Sequence, residues 1–205
     1  MKQIIGSIIF IALLSGCSNP KTTDVESEKE NSSQIVASLE EGTVIIAEQS
    51  ATDTLKGSLK ATAMGTIGNT GITINYYSPA VRGRIIWGGL IPFDNVWVTG
   101  AHRATNIDFN QEVEIGGVNI SAGKYALFTI PGKEEWTIVI NKNWDQHLTD
   151  DYDQKLDIVR VKVKPETEET HQERLRYVIE PEGDNKGEIV IYWEKLEVSI
   201  NIKVI

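Results

Sequence analysis

Apolar side chains recur at every second position through most of this chain. Val113 and Ile115 alternate with Glu112 and Glu114; Trp136, Ile138 and Ile140 with Thr137 and Asn141; Val159, Val161 and Val163 with Arg160, Lys162 and Lys164. A side-chain period of two belongs to an extended strand with one dry and one wet face. Turn-forming clusters punctuate these runs: Gly116-Gly117, Ala122-Gly123-Lys124, Pro131-Gly132-Lys133 and the stretch from Pro181 to Gly187. Such short spacings predict antiparallel neighbours joined by hairpins.

Near the C-terminus the apolar positions change phase, from Ile189, Ile191 and Trp193 to Leu196, Val198, Ile200, Ile202 and Val204. A bulge or bend at Glu194-Lys195 keeps both sets on the core side. Leu148, Tyr152 and Leu156, spaced by four, predict a short helical piece around 145–157. No repeat of fixed period is present. The pattern predicts an all-β fold: an antiparallel two-sheet β-sandwich, jelly-roll or Ig-like, with at most one short helix.

The N-terminus is of another kind. Lys2 precedes an apolar run from Ile4 to Leu14, interrupted only by Gly6 and Ser7, which ends in Leu14-Ser15-Gly16-Cys17. A spanning helix needs about 20 apolar residues, so this layout predicts an export signal. The four residues LSGC resemble the bacterial lipobox, which implies removal of residues 1–16 and S-acylation of Cys17. Cys17 is the only cysteine, so it has no disulfide partner within the chain. Two or more acyl chains anchor a protein stably in a bilayer. Residues 18–34 are rich in Ser, Thr, Glu and Lys, with Val25 as the only large apolar residue. They cannot bury enough surface to order themselves. The expected organisation is a signal peptide (1–16), a lipidated cysteine with a flexible stalk (17–39) and one β-sandwich domain (40–205). The expected location is the bacterial cell envelope, lipid-anchored on the periplasmic face or the cell surface.

The formal net charge of −9 becomes −10 once the segment holding Lys2 is removed. An acidic chain opposes binding to nucleic acid and to anionic headgroups, because counterion release needs clustered Lys and Arg. No nucleic-acid partner is expected.

Two longer motifs carry a family resemblance. Tyr77-Ser78-Pro79, Val81-Arg82-Gly83-Arg84, Trp87 to Phe93, Val96-Trp97 and Thr99-Gly100-Ala101 form the first; Gly123 to Gly132, Trp136 to Val139 and Asn141-Lys142 form the second. Together they resemble the DUF2911 family of exported bacterial proteins, over roughly residues 60 to 180. The family has no assigned function, so the resemblance implies a location and an architecture but no reaction. Its usual pattern after the tryptophan segment is an arginine followed by Gly-Ala-Asn-Glu-Ala-Thr. Here Val98 takes the arginine's place and His102-Arg103 that of the Asn-Glu pair, which implies a change of charge at that corner.

Residues 98–106, VTGAHRATN, therefore define the first candidate surface. Arg82 and Arg84, two apart on a segment that reads as extended, project to one face, and His102 and Arg103 follow at the next turn. Asp94 is the one acid between residues 82 and 103. If the two segments are adjacent, they suit a carboxylate, sulfate, phosphate or uronic acid. The competing reading pairs Arg82 and Arg84 with Glu112, Glu114 or Asp108 on a wet sheet face and leaves His102 to cap a turn. Most aromatic residues alternate and belong to the core. Trp144, inside Asn143-Trp144-Asp145-Gln146-His147, has polar neighbours and is expected to be exposed, where it suits a sugar ring. The candidate ligand-binding residues are Tyr77, Arg82, Arg84, Thr99, His102, Arg103 and Trp144.

No nucleophile-elbow, zincin, Walker or dinucleotide signature is present. The three histidines lack ligand spacing, so no metal or other cofactor is expected; His102 and His147 with Asp145 or Asp150 are the combination to check. His171, in the acidic run 166–173, reads as solvated. The adjacent acids of Glu134-Glu135 and Asp150-Asp151 do not define two carboxyl groups about 5–10 Å apart across a cleft. The expected function is non-covalent binding of a small or glycan-like, anionic ligand. A structural or assembly role with another envelope protein is the alternative, and a hydrolase the third reading; an enzyme is not favoured.

Overall fold

The alternating runs fold into twelve strands among residues 35–38 and 42–205, the part of the chain that the computed structural model describes. The expected export signal, Cys17 and the expected stalk up to residue 34 lie outside the described residues. The strands are β1 (Ile35–Ser38), β2 (Val44–Ile46), β3 (Leu59–Ile67), β4 (Thr70–Ser78), β5 (Asn106–Phe109) and β6 (Val113–Ile115), then β7 (Val118–Ile120), β8 (Gly123–Ile130), β9 (Trp136–Asn141), β10 (Asp157–Val163), β11 (Glu166–Pro181) and β12 (Lys186–Val204). They make two sheets. One has the order β1-β2-β3-β4-β5-β8-β9-β10, the other β11-β12-β6-β7. Every pairing is antiparallel except that of β2 with β3. All of this belongs to one compact unit, Ser32–Ile205, and the entire described core lies within it.

Local sequence explains the turns. Gly116-Gly117, both at positive φ, join β6 to β7 in a two-residue hairpin whose twist only such residues match. Gly68 turns β3 into β4 beneath the β11–β12 turn, where a Cβ would lie 2.3 Å from the Asp184 carbonyl oxygen. The hairpins of the two sheets thus meet backbone to backbone at this end.

The core is apolar and rich in tryptophan. Trp87 and Trp97 meet each other and each meets both Trp136 and Trp193, with centroid separations from 4.8 to 6.5 Å. Strand β9 departs from the predicted one-sided pattern: all six of its residues are buried. Its second face is covered by the connection between β9 and β10, whose Tyr152 meets Phe128 of β8 edge-on at 5.3 Å. The predicted helix at 145–157 shrinks to one 3₁₀ turn, Gln154–Leu156, begun by the Asp153 carboxylate. Leu148 breaks the spacing with a left-handed φ of 46°, and Leu148 and Leu156 stay exposed instead of sharing a buried stripe.

The phase change in β12 is a bulge, with Glu194 in the left-handed region at φ 60°. Its consequence falls on β11. Thr167 faces Leu196 and Arg176 faces Tyr192, so β11 advances nine positions while β12 advances four. The surplus carries residues 173–175, which follow the Gln172–Glu194 pair, away from β12 and into the interior. There Glu173 N–H donates to the Gln49 carbonyl (2.7 Å), Val81 N–H to the Glu173 carbonyl (2.8 Å) and Leu175 N–H to the Pro79 carbonyl (3.0 Å).

A buried cation closes this junction. The Arg174 side chain is 1% exposed and that of its partner Asp53 2%. Nε and Nη2 of Arg174 grip the two Asp53 oxygens. Nη1 donates to the Ser78 carbonyl (3.0 Å) and the Gly57 carbonyl (3.2 Å), and Nη2 also to the Leu55 carbonyl (2.9 Å). All five N–H groups of the guanidinium are thereby used. Burial pushes the Asp53 carboxyl up, but the hydrogen bonds and charge of Arg174 outweigh it and hold the group below its ordinary value.

Asp53→Asn should therefore cost about 3–5 kcal/mol at pH 7 in urea unfolding, since a buried charge loses its counter-charge. A carboxylate with a depressed folded pKa contributes stability above its unfolded pKa of about 3.9 and loses it as pH falls through the folded value. The gap between wild type and variant should accordingly narrow below about pH 4; a constant gap would show that the charge is not what stabilises the junction.

Candidate functional site

Arg82 and Arg84 stand on a turn, not on the extended segment that their spacing suggested. Arg84 N–H donates to the Val81 carbonyl (3.0 Å), and both central residues, Arg82 and Gly83, have positive φ, 49° and 65°. These are the marks of a type I′ turn. The turn is held from below, where the buried Glu173 carboxylate accepts Arg82 N–H at 3.0 Å while its other oxygen lies 3.1 Å from His171 Nε2. His171 is thus half-buried against a partner instead of solvated.

The guanidiniums bind main chain. Arg82 Nη2 donates to the Leu55 carbonyl, Arg84 Nε to the Val81 carbonyl (3.1 Å) and Arg84 Nη2 to the Ala80 carbonyl. Neither meets a carboxylate among the described residues: Glu114 pairs with Lys203 and Asp108 approaches Lys124. Both arginines are exposed and, with Gly57, Ser58 and Ala80, line an open cavity of about 320 Å³.

The VTGAHRATN corner is a separate construction. Thr99 is fully buried with φ 51°, a strained value for a β-branched residue. Its hydroxyl bonds Thr129 Oγ1 (3.0 Å), and its carbonyl accepts from Thr105 Oγ1 (3.0 Å) and Tyr177 Oη (2.7 Å). Trp97 Nε1 donates to the Gly100 carbonyl at 3.1 Å. Thr99 therefore supports the corner from inside and offers no group to a surface ligand.

Above it, His102 (φ 62°) is exposed and meets the ring of Tyr77 edge-on at 5.1 Å. Residues 102–104 pair with 146–148 through Leu148 N–H to the His102 carbonyl (3.0 Å) and Ala104 N–H to the Gln146 carbonyl (3.1 Å). The expected meeting of 98–106 with 143–147 is thus present, but its side chains are committed. Arg103 binds Asp145, His147 Nδ1 lies 2.9 Å from the Asp150 carboxylate, and Lys124 Nζ sits 4.9 Å from the centroid of the exposed Trp144 ring. No contact joins Arg82 or Arg84 to His102 or Arg103. Among the described residues no group of three His, Cys, Asp or Glu side chains is placed to hold a metal ion.

A second cavity, of about 270 Å³, has the opposite sign. Glu48, Glu168 and Glu180 line it with Thr170, Gln172, Tyr192 and a single Arg176. Burial, then the neighbouring Glu168, pushes the Glu197 carboxyl beside it upward. An anion is disfavoured there. The sequence reading passed over Asp53, Glu173, Arg174, Gly57 and Ser58, because a polar run interrupted by one leucine carries no signal of burial.

Comparison with known proteins gives one match. The model of a family described as "Protein of unknown function (DUF2911)" covers residues 58–202, well over half of the chain. No curated protein and no solved structure matches.

The Arg103–Asp145 pair, with side chains 52% and 64% exposed, should contribute less than about 1 kcal/mol. A double-mutant cycle of Arg103→Ala and Asp145→Ala, read by urea unfolding, should give a coupling energy below that bound and shrinking with salt. A coupling of several kcal/mol would show that the pair holds the corner together.

Proposed function

The chain belongs to the DUF2911 family, and we propose that it is a lipid-anchored envelope protein that binds an anionic small molecule or glycan non-covalently at the Arg82–Arg84 turn. One observation carries the binding reading. Two exposed guanidiniums are oriented on one tight turn at a cavity mouth, and main-chain carbonyls orient them without neutralising their charge. The donors left over suit the paired oxygens of a carboxylate, sulfate or phosphate. Carbonyls fix the side chains in advance, so less rotamer freedom is lost on binding.

Backbone strain supports the same reading. Arg82 occupies a left-handed conformation that glycine adopts at lower cost. A costly conformation kept at an exposed arginine points to a use for its side chain. The corner contributes less, since Arg103 and His147 are each occupied by a carboxylate. Anchoring rests on LSGC ahead of the stalk; two acyl chains hold a protein at a bilayer without further contacts.

Two measurements test these readings. Glucuronate, sulfate and inorganic phosphate are titrated while thermal unfolding is followed; at tenfold the dissociation constant the midpoint should rise by about 3–6 °C. Arg82→Gly combined with Arg84→Gln should abolish the rise with little change in the ligand-free midpoint, and Arg103→Ala should retain it. No rise for any anion, or a rise that survives loss of both guanidiniums, refutes the site. For the anchor, Cys17→Ser should move the protein from the membrane fraction to the soluble fraction; continued membrane association refutes acylation at that residue.

A further inference from the structure

Ile85 is 79% exposed, more than any other large apolar side chain among the described residues, and Leu90 is 43% exposed. The two share one tip: Leu90 N–H donates to the Ile85 carbonyl at 3.0 Å, and Ile85 Cγ2 lies within 3.0 Å of where a Cβ on Gly89 would stand. The tip cannot turn inward. Ile86 and Ile91 already take the buried positions, Trp87 is seated among Trp97, Trp136 and Trp193, and Ile91 N–H bonds the Ile86 carbonyl at 2.9 Å.

The charge around this tip runs against that of the chain. Residues 54–60 and 79–93 include Lys56, Arg82 and Arg84 and no Asp or Glu, in a protein of net charge −9; the acids behind the turn, Asp53 and Glu173, have buried side chains bonded to Arg174 and to His171 and the Arg82 N–H. The overall charge argues against an anionic surface, but beyond about 8 Å most of it is screened at physiological salt, and contact is decided locally. An exposed apolar pair on the same loop as two guanidiniums matches a layer of phosphodiesters over hydrocarbon: the forks take phosphate oxygens while the aliphatic side chains enter below the headgroups.

We propose that the 82–90 loop docks on an anionic phospholipid surface, Ile85 and Leu90 inserting and Arg82 and Arg84 pairing with headgroup phosphates. This rests on the anion-binding reading of the same two arginines and names the source of the anion. It gives the domain a fixed orientation on the bilayer, which a flexible tether alone does not.

The test uses residues 32–205, which contain the whole described core and lack both Cys17 and the export signal. Co-sedimentation is measured with phosphatidylcholine vesicles, alone or with about one quarter phosphatidylglycerol. Binding should rise at least about tenfold with the anionic lipid. Ile85→Ser with Leu90→Ser should reduce it about tenfold while leaving the unfolding midpoint and its rise with phosphate unchanged. Arg82→Gly with Arg84→Gln should reduce it about 25-fold, near fivefold per basic residue, and also remove the phosphate effect. Equal binding to both vesicles, no binding, or indifference to the loss of Ile85 and Leu90 overturns the membrane inference. If phosphate still stabilises the protein in that event, the anion site survives alone; if it does not, both readings fall.

Discussion

A guanidinium cut off from water, with every N–H answered, ties β11 of the second sheet to the end of β4 and to the connection between β2 and β3 in the first. Arg174 is costly to bury, and only the Asp53 carboxylate, the Leu55 and Gly57 carbonyls of the same segment and the Ser78 carbonyl make that burial tolerable. What the pair secures is geometry. It fixes the 53–57 segment against the end of β4 and the displaced middle of β11. The turn at Arg82 is built on that floor, held by Glu173 next to Arg174 in sequence and by Leu55 two residues beyond Asp53.

The tryptophan core does the complementary work on the apolar side. Trp87 and Trp97 come from the long connection between β4 and β5, Trp136 from the first sheet and Trp193 from the second. Edge-to-face and offset contacts at these separations add to the burial of large rings. The long connection is therefore a third wall of the core, and that allows it to hold left-handed conformations at Arg82, Asp94, Thr99 and His102. The cost of those conformations is met by packing elsewhere, as strained surface segments require.

Much of the sandwich was legible because strand burial writes itself into a period of two. The β12 phase change was readable for the same reason, since Trp193 and Leu196 cannot share a face without a bulge. The junction around Arg174 was not, because Glu-Thr-His-Gln-Glu-Arg reads as a solvated run until its partners 120 residues away are known. The candidate site was half legible. Gly100-Ala101 and Ala104-Thr105 marked a corner, and the polar segment around Trp144 does meet it. Yet Arg82 and Arg84 looked extended because spacing alone cannot show a left-handed turn, and Arg103 looked available because its partner Asp145 lies on another segment.

The Leu55 carbonyl accepts from Arg174 in the interior and from Arg82 at the surface. One peptide group is thus shared between a buried cation and an exposed one. Because one carbonyl oxygen orients both guanidiniums, the position of the Arg82 side chain depends on the 53–57 segment that Arg174 holds, and loosening that segment would release the surface guanidinium as well.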